Sequence, residues 1–241
     1  MLALIDMDLV CFRSAASAEN ESVGIAISRM KDLFEGIQSK VGATSYRAFL
    51  TGPNNFRKTI NPLYKANRTA PKPRHLSALQ DYAVKKLGAE WAPDTLEADD
   101  ALSIHQDKVG GTTTICSLDK DMLQVPGKHF QWAIGTLSWS RPDNFVEQTE
   151  LEGTRLLYEQ CLKGDASDNV KGVAGIGEGK AKKLLANCNS EIEFVNVCLE
   201  SYSSEEEFLM NAQCLYILRS LDDSYLTRYE RITSENNSNE A

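Results

Sequence analysis

Along this chain, short apolar runs that end on acids alternate with longer stretches in which apolar residues recur every three or four positions. LALID reads as a buried strand closing on Asp6, and YRAFLT as a second strand. Between them, Val23, Ile27, Met30, Phe34, Ile37 and Val41 fall at helical spacing behind Ser22, a suitable cap, and predict a helix over 22–41. A helix is expected at about 76–88, another beginning within EADD after Leu96, and TTTICSLD as a central strand. HFQWAI and TLSWS pattern as a hairpin around Gly135. From about 151 the character turns helical: LEGTRLLYEQCLKG, KAKKLLANC, and two segments near 190–201 and 205–221. The polar tail from 233 to 241 is expected to be disordered.

The pattern predicts an α/β fold. A mostly parallel central sheet flanked by helices takes up about 1–150, and a helical part follows over about 151–232. One stretch fits neither pattern. Residues 52–75, GPNNFRKTINPLYKANRTAPKPRH, are polar, basic and broken by four prolines, and are expected to form a mobile loop or partly helical arch.

Eight carboxylates stand in four clusters where strand-like runs give way to polar residues: Asp6; Glu97, Asp99 and Asp100; Asp119 and Asp121; Asp165 and Asp168. Parallel strands gather their carboxyl ends on one side of a sheet, so these acids are expected to converge on one cleft. That many carboxylates stay ionised together only with divalent cations among them. Oxygen donors without a His/Cys set point to Mg²⁺ or Mn²⁺ and to phosphate chemistry. His75, His105 and His129 show no ligand spacing.

The net charge of −8 argues at first against a polyanionic partner, but the eight clustered acids account for all of it. Residues 36–80 contain no acid and carry Lys40, Arg47, Arg57, Lys58, Lys65, Arg68, Lys72 and Arg74. A basic segment beside an acidic pit suits a polyanion that binds the first and reacts in the second. The six cysteines form no CxxC pair and are expected to be reduced and mostly buried. No apolar run nears the ~20 residues of a membrane span, and Met1 leads straight into a strand. A cytoplasmic monomer without leader or membrane span is the expectation.

GVAGIGEGKAKKLL has the apolar–Gly–apolar–Gly pattern of a helix-hairpin-helix, placed at about 168–186. Gly175 and Gly177 flank Ile176 and let the backbone come close to a phosphate, and Lys180, Lys182 and Lys183 add charge beyond them. A hairpin that only packs is the plain alternative.

In this order, LIDMD, FRKTINPLYKANR, EADD, SLDKDML and GDASDNVKGVAGIGEGKA resemble the 5′ nuclease or flap endonuclease family. That family includes the 5′-3′ exonuclease domain of bacterial DNA polymerase I and free-standing phage-type enzymes. The resemblance runs from Asp6 to about Leu185. It implies a PIN-like core and structure-dependent 5′-3′ cleavage of DNA by two-metal catalysis, in phage-type replication or genome processing. The eight acids match the family's metal-site acids, with Asp6, Asp119 and Asp165 essential to the chemistry. Lys65 and Arg68 match residues that contact the scissile phosphate, and Tyr64 a residue that stacks on a base at the frayed end. Lys72 is a further arch charge for DNA. The family's hairpin commonly binds a monovalent cation such as K⁺ through backbone carbonyls, here from Val173 to Ile176. Implied partners are DNA with 5′ ends, flaps or nicks, or RNA primers; a monomer acting in the cytoplasm, a host's if phage-encoded, is the implied setting.

The chain departs from the family pattern in one place: FLTGPNNFR carries no acid after the second strand, where relatives commonly have one, and Asp8 is the nearest carboxylate to compensate. Two rivals stand beside this reading. LIDMD and GDASD also fit the opening and closing motifs of haloacid-dehalogenase-type phosphatases, with Asp6 as nucleophile and Asp8 as acid/base. The other is a catalytically silent DNA-junction binder.

Overall fold

A computed structural model of the chain describes residues 1–109, 111–135 and 139–239. In chain order its first elements are β1 (Leu2–Asp6), α1 (Met7–Ser17), α2 (Val23–Val41), β2 (Ser45–Leu50), α3 (Arg57–Ile60), α4 (Leu76–Leu87), β3 (Glu90–Trp91), α5 (Ala98–Val109) and β4 (Thr113–Cys116). There follow β5 (Gly127–Gln131), β6 (Ile134–Gly135), β7 (Ser140–Arg141), β8 (Asn144–Gln148), α6 (Glu150–Lys163), β9 (Gly164–Asp165) and β10 (Val170–Lys171). The last are α7 (Glu178–Leu185), α8 (Glu191–Ser201), α9 (Glu205–Leu215) and α10 (Tyr225–Asn239). The chain forms two units. One comprises Met1–Asn55, Ala70–Met122 and Gly127–Gln148, the other Phe56–Thr69, Leu123–Pro126 and Thr149–Ala241.

The first unit holds a six-stranded sheet in the order β3-β2-β1-β4-β5-β8. Every pairing is parallel except β5 with β8 at the edge. β1 lies at the centre, which is why its sequence is apolar without alternation: a strand covered on both faces has no polar side. The chain leaves β1 toward β2 and β3, then returns to lay β4 on the other side of β1. The strand order therefore reverses between β1 and β4, and at such a point the connections part and leave a crevice at the strands' carboxyl ends. α1 was not anticipated in the sequence, although Met7, Val10, Cys11, Ser14 and Ala15 all face inward from it. It starts with no loop after β1, because Asp6 ends the strand and accepts the Leu9 N–H as N-cap. α2 matches its expected range, with Ser22 as N-cap and Gly42 closing it at φ 63°. The hairpin around Gly135 is present as β6 paired with β7, while residues 136–138 lie outside those described.

The second unit is helical. α6 opens on a capping box in which Thr149 and Glu152 satisfy each other's backbone. Around Tyr158 it packs Phe194, Phe208 and Tyr225 as stacked and edge-on aromatic pairs. Several expectations change here. The segment Phe56–Thr69, expected as part of an arch on the core, belongs to this unit and includes α3. Arg57 is not a DNA-facing charge: it is buried, its Nε donating to the Cys214 carbonyl at 3.0 Å and its Nη2 to the Tyr216 carbonyl at 2.6 Å. The expected helix over 205–221 ends at Leu215. The tail expected to be disordered continues α10 to Asn239, because once packed turns nucleate a helix each further residue adds a hydrogen bond at little cost; residues 240 and 241 lie outside those described.

Replacing Arg57 by alanine should therefore cost folding stability, on the order of 2–3 kcal/mol, since two buried carbonyls lose a charged donor. The urea midpoint should fall accordingly, and a parental midpoint would refute the buried role of Arg57.

All six cysteines are buried free thiols. Among the described residues no helix is long and apolar enough to cross a membrane.

Candidate active site

The sheet unit brings together part of the acid set at the point of strand reversal. Asp6, at the carboxyl end of β1, is 3% exposed. Its Oδ1 accepts the Leu9 N–H at 3.1 Å and its Oδ2 the Ser117 hydroxyl at 2.7 Å. Burial first, then the charge of Asp8, and more weakly that of Asp119, push its pKa up to about 7, against the lowering effect of the two hydrogen bonds. Ser117, just past β4, also accepts the Asp119 N–H at 3.0 Å, so one hydroxyl aligns acids from two strands. Asp119 Oδ1 accepts the Asp121 N–H at 2.9 Å. On α5, Asp100 is fully buried and its Oδ2 accepts the Glu97 N–H at 3.1 Å, which fixes the start of that helix; Asp99 beside it is partly exposed.

Asp8, in the first turn of α1, reaches across to the end of β2. Its Oδ2 accepts the Thr51 N–H at 2.8 Å, and Gln80 on α4 donates to its other oxygen at 3.4 Å. The Thr51 hydroxyl in turn accepts the Ala98 N–H beside Glu97. Thus the β2 end, which carries no acid of its own, receives one from α1. Ser117, Thr51 and Gln80 were invisible in the sequence, since a lone hydroxyl or amide has no spacing signal; only the strand ends that surround Asp6 give them a role.

The helical unit carries Asp165 and Asp168. Asp165 is 3% exposed, and its Oδ1 gathers the Ser167 N–H, the Ser167 hydroxyl and the Asp168 N–H. Asp168 lies against the basic motif. Tyr64 Oη donates to its Oδ2 at 2.8 Å, Arg68 Nη2 to its Oδ1 at 2.6 Å, and Lys65 Nζ stands 3.7 Å from Oδ2. Two readings of the sequence are corrected by this. The basic segment is not without an acidic counterpart, because the fold supplies one from a hundred residues away. Tyr64 is 2% exposed, its ring covered and its hydroxyl spent on Asp168, so it is not presented for stacking on a base.

In the glycine-rich segment, Gly175 takes φ 77°, Ile176 is buried and donates its N–H to the Val173 carbonyl, and Gly177 is the N-cap of α7. A Cβ at Gly175, Gly177 or Gly179 would meet nothing within 4 Å. Their openness faces outward and leaves bare backbone at the surface. No helix forms within 168–177, where residues 170–171 pair with 164–165 as β10 and β9; the helix that precedes the turn is α6, which ends at Lys163 and donates from Arg155 to the Leu185 carbonyl at the end of α7. Gly164 and Gly172 are in backbone contact across that ladder, where a side chain on either would clash, so the close pairing wins over a helical turn. Lys180 and Lys183 are exposed on α7, and exposed Lys182 pairs with Glu178 one turn back. Lys72 is exposed outside any helix or strand.

The donor chemistry of the acids suits hard divalent cations, because the groups gathered near Asp6, namely Asp8, Asp119 and the Ser117 hydroxyl, are all oxygen donors. Their spacing is looser than a closed site: among the described residues no three Asp, Glu, His or Cys side chains stand close enough to grip one ion. Carboxylates repel one another, and here they turn their oxygens to backbone N–H and hydroxyl groups.

No family model matches the chain. It is 33% identical over 164 residues to a 5′-3′ exonuclease of Bacillus subtilis (strain 168), covering 63% of this chain and 53% of that protein. It is 31% identical over 144 residues to the flap endonuclease Xni of Shewanella baltica, covering 56% of this chain and 54% of that one. The chain spans about half or less of the length of the curated relatives it matches. In fold it is similar to the T5 D15 protein co-crystallized with metal ions, with a TM-score of 0.66 and 15% identity over 89% of this chain and 88% of that one. A bacteriophage T5 D15 flap endonuclease complex with DNA and metal ions gives a TM-score of 0.61 at 14% identity, over 89% and 85%. By sequence this chain is a relative of the 5′-3′ exonucleases and flap endonucleases, and it carries their fold.

Proposed function

We propose that the chain is a metal-dependent 5′-3′ exonuclease and flap endonuclease that hydrolyses phosphodiester bonds in DNA carrying 5′ ends, flaps or nicks. The observation that carries this reading is the gathering of acids at the point of strand reversal: buried Asp6 ends β1, Ser117 ties it to the backbone of Asp119, and Asp8 lies close enough to oppose its charge. Carboxylates gathered in a crevice make a place for Mg²⁺ or Mn²⁺. Asp6, Glu97, Asp99, Asp100, Asp119 and Asp121 on the sheet unit, and Asp165 and Asp168 on the helical unit, are the proposed ligands. Bound divalent ions supply positive charge to the phosphodiester under attack. Ser117 orients Asp6, and Asp100 holds the backbone of Glu97. Lys65 and Arg68 meet a phosphate oxygen as it gains charge. The open glycines at 175 and 177, with Lys180, Lys182 and Lys183, take the duplex backbone without reading sequence, and the carbonyls of Val173 and Ile176 offer a K⁺ site.

The phosphatase reading has no support among the relatives, which are 5′-3′ exonucleases and flap endonucleases, and it leaves the basic motif at Tyr64, Lys65 and Arg68 without a role. An end-labelled 5′ flap and a nicked duplex, incubated side by side with Mg²⁺ or Mn²⁺ and with EDTA, test the proposal. Short labelled products with either ion and none in EDTA are expected; intact substrates under all conditions would refute it.

The hairpin makes its own prediction. Replacing Lys180, Lys182 and Lys183 by alanine should weaken duplex binding on every sequence and lower the salt slope by about one per lost phosphate contact. Lys182 should contribute least, because Glu178 already competes for it. Parental affinity at several salt concentrations would reduce the segment to a packing element.

A further inference from the structure

Two segments a hundred residues apart in the helical unit are clasped together. Besides the three contacts to the Asp168 carboxylate, the Lys65 N–H donates to the Asp168 carbonyl at 2.8 Å. Arg68 Nε donates to the Ser167 carbonyl, Asn67 Nδ2 to the Ala166 carbonyl, and Asn169 Nδ2 to the Leu63 carbonyl. Lys65 and Asn169 both adopt left-handed backbone, φ 56° and 58°, a conformation that asparagine tolerates but that a lysine keeps only where surrounding bonds hold it. The Lys65 ammonium also lies 4.9 Å from the centre of the Tyr64 ring. The tyrosine therefore does two things at once: its face supports one cation, and its hydroxyl holds the carboxylate that binds both.

We propose that Tyr64 and Asp168 are positioning residues for the basic motif: the Tyr64 hydroxyl fixes the Asp168 carboxylate, and that carboxylate keeps Lys65 and Arg68 aimed for an incoming phosphate. A long cation left free samples many rotamers, and ordering it on arrival of DNA costs entropy. A cation already paired exchanges one oxyanion for another with little of that cost. The proposal rests on the nuclease reading for its link to cleavage, but the clasp itself does not.

Tyr64→Phe is the discriminating variant, because it removes one hydroxyl and keeps a ring that stacks on a base equally well. Two measurements follow. The first uses DNA-free protein and trypsin, comparing cuts after Lys65 and Arg68 with the cut after Arg74, which reports general loosening. Tyr64→Phe and Asp168→Ala should raise the ratio several-fold; an unchanged ratio in both overturns the clasp. The second is single-turnover cleavage of a 5′ flap at saturating enzyme, with DNA affinity measured separately in Ca²⁺. Tyr64→Phe should cut about tenfold more slowly at parental affinity. Parental cutting by Tyr64→Phe together with slow cutting by Tyr64→Ala would overturn the proposal in favour of base stacking. If the parent itself cuts nothing, the nuclease reading fails and the tryptic ratio alone decides the clasp.

Discussion

Asp6→Asn should abolish cleavage and stabilise the metal-free protein at the same time. Loss of one carboxylate from the proposed cation site removes several kcal/mol of charge stabilisation, on the order of a thousandfold in rate. The stability effect has the opposite sign. The carboxyl is buried, and its pKa rises from 3.8 to about 7 in the fold. Its protonated form therefore favours the folded state below pH ~4, and that contribution is lost as the pH rises to and through about 7. Above that point the parent carries an ionised, buried and opposed carboxylate, and asparagine does not. In EDTA at pH 8 the variant should be more stable by roughly 2 kcal/mol or more, and the difference should shrink steadily below pH 7 and close near pH ~4. Adding Mg²⁺ should raise the parent's melting temperature more at pH 8 than at pH 6 and leave the variant's nearly unmoved. A variant that cuts DNA at the parental rate would remove Asp6 from the site. One that melts lower than the parent at pH 8 would mean that the hydrogen bonds to Leu9 and Ser117 outweigh the buried charge.

The second large effect concerns turnover without affinity. Lys65→Ala and Arg68→Ala should each slow single-turnover cleavage by about a hundredfold, ~3 kcal/mol, because each removes a positive charge from a phosphate that gains charge in the transition state. DNA affinity should fall much less, since Asp168 already neutralises part of that charge in the free protein. Lys72→Ala, at an exposed position outside the clasp, should act on affinity alone and weakly. Measurement at saturating enzyme separates the two effects. Parental rates for both Lys65→Ala and Arg68→Ala would make the motif a tether for DNA and nothing more.

The sequence by itself determined those elements whose signal is local. β1 and the second half of β2 are apolar runs because strands covered on both faces have no polar side, and α2, α4 and α6 follow from periodicity, α2 also from its Ser22 cap. It also placed Asp6 at the end of β1 and Asp119 and Asp121 just past β4, whereas Glu97, Asp99 and Asp100 stand at the start of α5 and Asp165 and Asp168 follow α6. What it hid were relations between distant residues. Asp8 reads as the nearest acid to compensate for the one missing after β2, but its partner, the Thr51 N–H, is reached only because β2 lies beside β1. Ser117 has no pattern at all and acquires a role only when β4 lies on the other side of β1. The stretch from 56 to 69 looks like uncompensated charge because its counter-ion, Asp168, is a hundred residues away, and Tyr64 looks available because burial is a property of neighbours. The displaced start of the hairpin, expected near 168, has the same origin: Gly164 and Gly172 come together only across a ladder that the folded unit closes, and the helix before the turn ends at Lys163. Propensity, periodicity and capping act over a few residues and survive in a linear string. Burial, pairing of charges and the rise of the Asp6 pKa depend on what the fold packs around a group, and only the tertiary structure decided them.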